Sequence, residues 1–237
     1  MKIRIKFKKY GVMRFIGHLD IMRYFQKAMR RADIDIAYSE GFSPHQIMSF
    51  AAPLGVGIIS DGEYLDIEVH STKSSKESID ALNAVMVDGM EITEYVALPD
   101  DAKKSMTIVA GAEYNVYYKD PSTAVIEKDM LAKAIAAYFS QKELLITKQT
   151  KKSERVIDIK PHIYTFEPYE NEETFGFHLL LSAGSEENIK PELVLEDFCK
   201  YYEKEYKPFD YQIHRLDVYA YEKGEFVPLN YYGKEIV

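Results

Sequence analysis

The sequence predicts an α+β protein, and three observations carry that expectation. Residues 2–8 alternate Ile3, Ile5 and Phe7 with Lys and Arg, the period-two pattern of a half-buried strand. Residues 18–32 switch to helical spacing, with Leu19, Met22, Phe25 and Met29 on one stripe and Arg23, Lys27, Arg30 and Arg31 on another. Strand-like and helix-like segments then keep alternating toward the C-terminus, so neither class dominates.

Taken in order, the first helix has Asp20 near its start and Arg30 and Arg31 near its end, as the helix dipole favours. Residues 37–60 are rich in Gly, Pro and Ser and read as a loop with a short strand or two. Tyr64, Asp66 and Glu68 alternate with Leu65, Ile67 and Val69 in a second clear strand. A helix over 75–87, with Ile79, Leu82 and Met86 on one face, precedes a strand over 90–98. Strand, helix, two strands, helix and strand make the ferredoxin-like βαββαβ order. Residues 99–105 are polar, open with Pro99 and read as a linker. Beyond them come a strand over 112–119, a helix over 126–139 and strands over 143–148, 155–166 and 175–182. A helix over 191–202 and a strand over 211–221 follow, the same order with one strand added. The expected architecture is two tandem ferredoxin-like domains, 1–100 and 106–237, without residue-level self-similarity between them.

Composition narrows the function. At 237 residues, 46% hydrophobic and 29% charged, the chain is globular, neither disordered nor fibrous. Its apolar runs are broken by Ser, Pro and Gly and fall short of the ~20 residues of a spanning helix. The start lacks the unbroken apolar stretch of a signal peptide, so a cytoplasmic location without membrane contact is expected. The single Cys199, in an apparent helix, reads as a packing residue. The net charge of −8 is uneven: residues 1–50 hold ten Lys and Arg against four acids, which leaves the remainder strongly acidic. Indiscriminate nucleic-acid binding is disfavoured, whereas a local basic face is not.

His18 sits where a helix N-terminus offers unpaired N–H groups to an anion; its bland alternative is a turn residue packed on Phe15. Residues Gly41–His45 form a rigid turn with His45 at its exit, a better place for a site than a helix face, and Phe42 is expected to plug the core. Arg23, Lys27, Arg30 and Arg31, joined by the basic residues of the first strand, suit a phosphate-tracking stripe, although such stripes are commonly solvated faces. His18 and His45 with Asp20 or Asp66 have zinc-compatible types but no ligand spacing, so no metal and no cofactor are expected. His70, His162, His178 and His214 are scattered. Asp158 and Lys160 are expected on one face of a strand, Lys148, Lys151, Lys152 and Arg155 at a basic hairpin tip, and Asn188 as a helix cap beside Glu186 and Glu187.

Arg14-Phe-Ile-Gly-His-Leu-Asp-Ile-Met-Arg23 and Ala37-Tyr-Ser-Glu-Gly-Phe-Ser-Pro-His45, followed by Ser49-Phe-Ala51, Pro53-Leu-Gly-Val56 and Glu63-Tyr64 with Asp66, resemble the radical SAM-linked proteins, a bacterial family of undefined biochemical activity. The likeness extends through Val156–Pro161 and Gly184–Leu195. Departures are Gly17 for the family's Ser, Ser43 for Asn, and Gln46-Ile47 for a Pro and a basic residue. The resemblance implies a radical SAM protein as partner, with a gene context of RNA or ribosome maturation. A radical SAM cluster needs a Cys-x-x-x-Cys-x-x-Cys set, which one cysteine cannot supply, so the chain would be the partner and not the catalyst.

The expected function is therefore a non-catalytic recognition protein contacting RNA through Arg14, His18, Arg23, Lys27, Arg30 and His45. One alternative is a metal-independent endoribonuclease, similar at the level of fold to the CRISPR repeat-processing enzymes, with His18 or His45 as the base. Another is a protein-interaction module alone. The functional expectation requires the basic groups and the two imidazoles to gather around a common hollow.

Overall fold

The computed structural model describes residues 1–149, 154–185 and 187–237. Its strands are β1 (Lys2–Lys9), β2 (Met48–Phe50), β3 (Ile59–Glu68), β4 (Met90–Leu98), β5 (Val109–Tyr118) and β6 (Leu145–Gln149). They continue as β7 (Glu154–Asp158), β8 (Ile163–Glu170), β9 (Phe175–Ser182), β10 (Tyr211–Glu222), β11 (Glu225–Pro228) and β12 (Lys234–Glu235). The helices are α1 (His18–Arg31), α2 (Ser75–Asn83), the single turn α3 (Ser105–Ile108), α4 (Leu131–Phe139) and α5 (Pro191–Tyr201). The chain is α+β, rich in strand and with few helices. It divides into two units, Met1–Ala110 with Arg215–Val237, and Gly111–His214. The C-terminal 23 residues thus fold with the first unit.

In the first unit the strand order is β12-β4-β1-β3-β10, with β2 also on β3 and β11 on β10. β1 runs antiparallel to both neighbours, Ile5 lying opposite Leu65 on one side and Tyr95 on the other. Ile3, Ile5 and Phe7 enter the core with Leu65, Ile67 and the α1 residues Ile21, Phe25 and Met29. Strand alternation then turns Lys2, Arg4 and Lys6 away from α1. α1 begins at His18 as expected, with Gly17 as its N-cap, but its buried stripe is Ile21, Phe25, Ala28 and Met29, and Leu19 stands 63% exposed. α2 opens on a capping box, Ser74 accepting from the Glu77 N–H while Glu77 accepts from that of Ser74, and ends at Asn83, short of the expected 87.

In the second unit β5, β9 and β8 lie side by side, with β10 beside β5, and β6–β7 form a separate hairpin. The core is aromatic: Tyr138 on α4 and Phe198 on α5 meet edge to face at 5.4 Å, and Phe198 meets Phe177 at 5.3 Å. The strand expected over 155–166 is broken, because Pro161 cannot donate to a ladder; a 3-10 turn over Lys160–His162 separates β7 from β8. The helix expected from 126 starts at Leu131 after a 3-10 turn over Lys128–Met130. Pro191 occupies the first turn of α5 and Lys190 is its N-cap, so Asn188 is not the cap. Cys199 is buried, and burial pushes its thiol pKa up.

Candidate functional site

Four of the five charges of β1, those of Lys2, Arg4, Lys6 and Lys9, are engaged within the first unit. Arg4, 1% exposed, binds both carboxylate oxygens of Asp66, at 2.7 and 3.0 Å, and the carbonyls of Leu229 and Lys103. Lys6 reaches Asp217 at 2.6 Å, and the Tyr64 hydroxyl donates to the same carboxylate at 2.7 Å. Burial followed by the Asp217 charge holds the Tyr64 phenol far above its ordinary range. Lys2 donates to the carbonyls of Asp100 and Ala102, and Asp66 also accepts the Ser105 N–H at 2.6 Å. The segment read as a linker is thus strapped to the first unit by Lys2, Arg4 and Asp66.

A second buried cluster lies beside His18. Glu63 receives the guanidinium of Arg215 at 2.7 and 2.5 Å and the Ser60 hydroxyl at 2.6 Å. Lys9, 2% exposed, donates to the carbonyl of Ile16 at 2.6 Å. Desolvation lowers its pKa; the negative Glu63 opposes that and Arg215 adds to it. A hollow of about 20 Å³ separates Lys9, His18, Phe50 and Glu63. That is room for one water and too little for a phosphate. The His18 ring stands edge to face on Phe50 at 5.2 Å, so its packing partner is Phe50.

The outer face of α1 is different. Lys27, Arg30 and Arg31 are exposed, and no ion pair engages Lys27 or Arg30 among the described residues. Arg31 lies 5.8 Å from the centre of the Tyr24 ring. Arg23 is paired with Asp20 at 3.1 Å, both side chains about two-thirds exposed, a contact water screens heavily. Arg14 lies in a 3-10 turn with its guanidinium over the Phe15 ring at 4.8 Å.

His45 is held from two sides. Ser39 Oγ accepts the His45 N–H at 3.1 Å and lies 2.8 Å from Nδ1, while the Ser39 N–H donates to the His45 carbonyl. The contact with Ser39 engages Nδ1 and leaves Nε2 without a hydrogen-bond partner among the described residues. Gly41 adopts φ +109°, which a residue with a side chain rarely does, and the turn throws Phe42 fully into solvent. Phe42 is therefore not a core plug. Tyr38 is exposed as well, and Gln46, buried, donates from Nε2 to the Gln26 carbonyl.

Three of the six expected contacts line three different hollows. His18 lines the small cavity on the Phe50 side, His45 lines another of about 300 Å³, and Arg30 a third of about 510 Å³ at the end of α1. Periodicity missed the Lys9–Glu63–Arg215 cluster, because Arg215 arrives from more than 150 residues away. Elsewhere, Asp158 ends β7 and accepts the N–H groups of Leu144 and Lys160, while the Lys160 ammonium turns to Gln141; the two do not share a strand face. Lys148 is paired with Glu187 at 2.5 Å, Arg155 lies 3.9 Å from the same carboxylate, and Lys151, Lys152 and Glu186 fall outside the described residues. His178 is placed between Asn115 at 2.9 Å and Glu113 at 3.2 Å; the hydrogen bond to Glu113 raises its pKa. Among the described residues no group of three or more His, Cys, Asp or Glu is placed to hold a metal.

No helix among the described residues is long and apolar enough to cross a membrane. Over residues 2–191 the chain matches a bacterial family described as an uncharacterized protein conserved in bacteria (DUF2344). The chain belongs to that family. No curated protein matches it.

Proposed function

We propose that the chain is a non-catalytic RNA-contacting protein, built from two ferredoxin-like units, that presents RNA through the outer face of α1 and the loop from Tyr38 to His45. The observation that carries this reading is the coincidence, in one unit, of exposed cations at Lys27 and Arg30, in no ion pair among the described residues, and a fully exposed aromatic at Phe42. Phosphates are held by such cations, and unstacked bases by such rings. The strand orders support the fold part: β4-β1-β3-β2 in the first unit and β10-β5-β9-β8 in the second are the split-βαβ order with a hairpin inserted in the second. A radical SAM enzyme as the partner rests on the resemblance alone. Filter binding against total cellular RNA tests the reading: saturable binding that weakens with salt and is reduced in Lys27→Ala/Arg30→Ala supports it, and absent or salt-insensitive binding ends it.

Docking on a protein is the second reading, favoured by Val12, Phe15, Leu19 and Val56, all more than half exposed. Co-purification of one protein partner that is lost in Phe15→Ser/Leu19→Ser, with no RNA present, would favour it. The endoribonuclease reading has less support. His18 and His45 line different hollows, and the one at His18 cannot admit a scissile phosphate.

A further inference from the structure

The hollow beside His45 has features that the surface of α1 lacks. It encloses about 300 Å³, the lower end of the ~300–1,000 Å³ typical of small-molecule sites. The strapped segment supplies one wall, where Lys103 and Lys104 are exposed, with no ion pair to either ammonium among the described residues. His45 also lines it, its Nδ1 paired with Ser39 and its Nε2 without a hydrogen-bond partner among the described residues. Leu98, 7% exposed, gives an apolar contact, and Glu68 gives an acceptor. Asp66 also lines the hollow but is occupied by Arg4 and the Ser105 N–H, so it does not cancel the two lysines.

Two cations, an imidazole nitrogen, an apolar contact and a carboxylate acceptor lining one hollow fit a compact molecule with an anionic end, a planar body and hydroxyl or amino donors. We infer that the hollow binds one nucleotide as its phosphate monoester, either free or as the 5′-terminal residue of an RNA. The phosphate meets Lys103, Lys104 and His45, the base lies against Leu98, and Glu68 accepts from the ribose hydroxyls. The RNA-end source rests on the RNA reading above; the free-nucleotide source does not.

Calorimetric titration of the full chain with AMP, adenosine and inorganic phosphate tests the site. Saturable AMP binding is expected, with adenosine at least about tenfold weaker, the equivalent of one charge-assisted contact. Lys103→Ala/Lys104→Ala and His45→Ala each weaken AMP by about fivefold or more, while Lys76→Ala on α2 leaves it unchanged. A 5′-phosphorylated hexa-adenylate binding more tightly than its 5′-hydroxyl form, and competed by AMP, assigns the RNA end; equal binding of the two assigns the free nucleotide. No saturation by about 10 mM AMP, inorganic phosphate binding as tightly as AMP, or indifference to the Lys103, Lys104 and His45 substitutions overturns the inference. RNA binding that is lost in Lys27→Ala/Arg30→Ala while AMP still binds separates this site from the α1 face.

Discussion

Glu63→Gln is the substitution to which the first unit is expected to respond most. Glu63 and Arg215 have side chains 5% and 6% exposed and share two close contacts, so neither charge is compensated by water. Gln keeps the shape and can still accept from Ser60, but it removes the carboxylate charge that faces two buried cations, Arg215 and Lys9. Breaking a buried pair by deleting one partner costs about 3–5 kcal/mol, because the surviving charge stays desolvated. For a unit of about 130 residues that is a fall of roughly 10–20 °C in its unfolding transition. Scanning calorimetry at pH 7 measures it directly. Adding Arg215→Met should return part of the loss, since an apolar replacement no longer needs a counter-ion, and adding Lys9→Met should return more. A transition for Glu63→Gln within about 2 °C of the parent would show that Arg215 and Lys9 find water or another anion, and the desolvation cost assigned to this pair would fail.

Other outcomes follow from the same contacts. Phe42→Ala should leave stability within about 0.5 kcal/mol, since the ring touches solvent only, yet weaken RNA binding by about 1–3 kcal/mol if bases stack on it; equal affinity removes that role. Gly62→Ala should destabilise by about 1–3 kcal/mol, because its Cβ would stand 2.6 Å from the Asp217 Cα and 2.7 Å from the Leu216 carbonyl; an unchanged denaturant midpoint contradicts that close approach. His178 has its pKa raised above the ordinary 6.5 by Glu113, so its contribution is full below pH 6.5 and disappears as pH rises through the raised value. The stability gap between the parent and His178→Gln should therefore be largest near pH 5–6 and close toward alkaline pH; a gap that widens with pH reverses the assignment.

What the sequence showed depended on how local the cause was. β1 was legible because the strand writes its period into seven residues, and α1 because Gly17, Asp20 and the terminal arginines punctuate it. The facing of α1 was not. The expected stripe and the observed one share Phe25 and Met29, and the choice between Leu19/Met22 and Ile21/Ala28 depends on which surface receives the helix. Phe42 misled because an aromatic between Gly and Pro reads as an anchor, whereas the positive φ of Gly41 turns it outward. Pro161 was a usable signal for the break between β7 and β8. At the candidate site the loop around His45 was recognised by its turn chemistry. The strap that forms the other wall of its hollow was not, because Lys2, Arg4 and Asp66 hold it over separations of 39 to about 100 residues.

The same long-range pairings set a limit on how this protein can bind RNA. Ten cations in the first 50 residues suggest a strongly basic surface, and if all met single-stranded RNA the slope of log K against log salt would approach about −7. Four of them are not available: Arg4 and Lys6 hold carboxylates, and Lys2 and Lys9 hold backbone carbonyls. That leaves Lys8, Arg14, Arg23, Lys27, Arg30 and Arg31 of the ten, for a slope from this segment no steeper than about −4, and Lys27→Ala/Arg30→Ala should reduce it by about 1.4. Affinity measured from about 50 to 300 mM salt decides the matter. A parent slope near −7 would mean that the buried cations exchange their partners for phosphate, and a slope near zero would mean that α1 is only a solvated face.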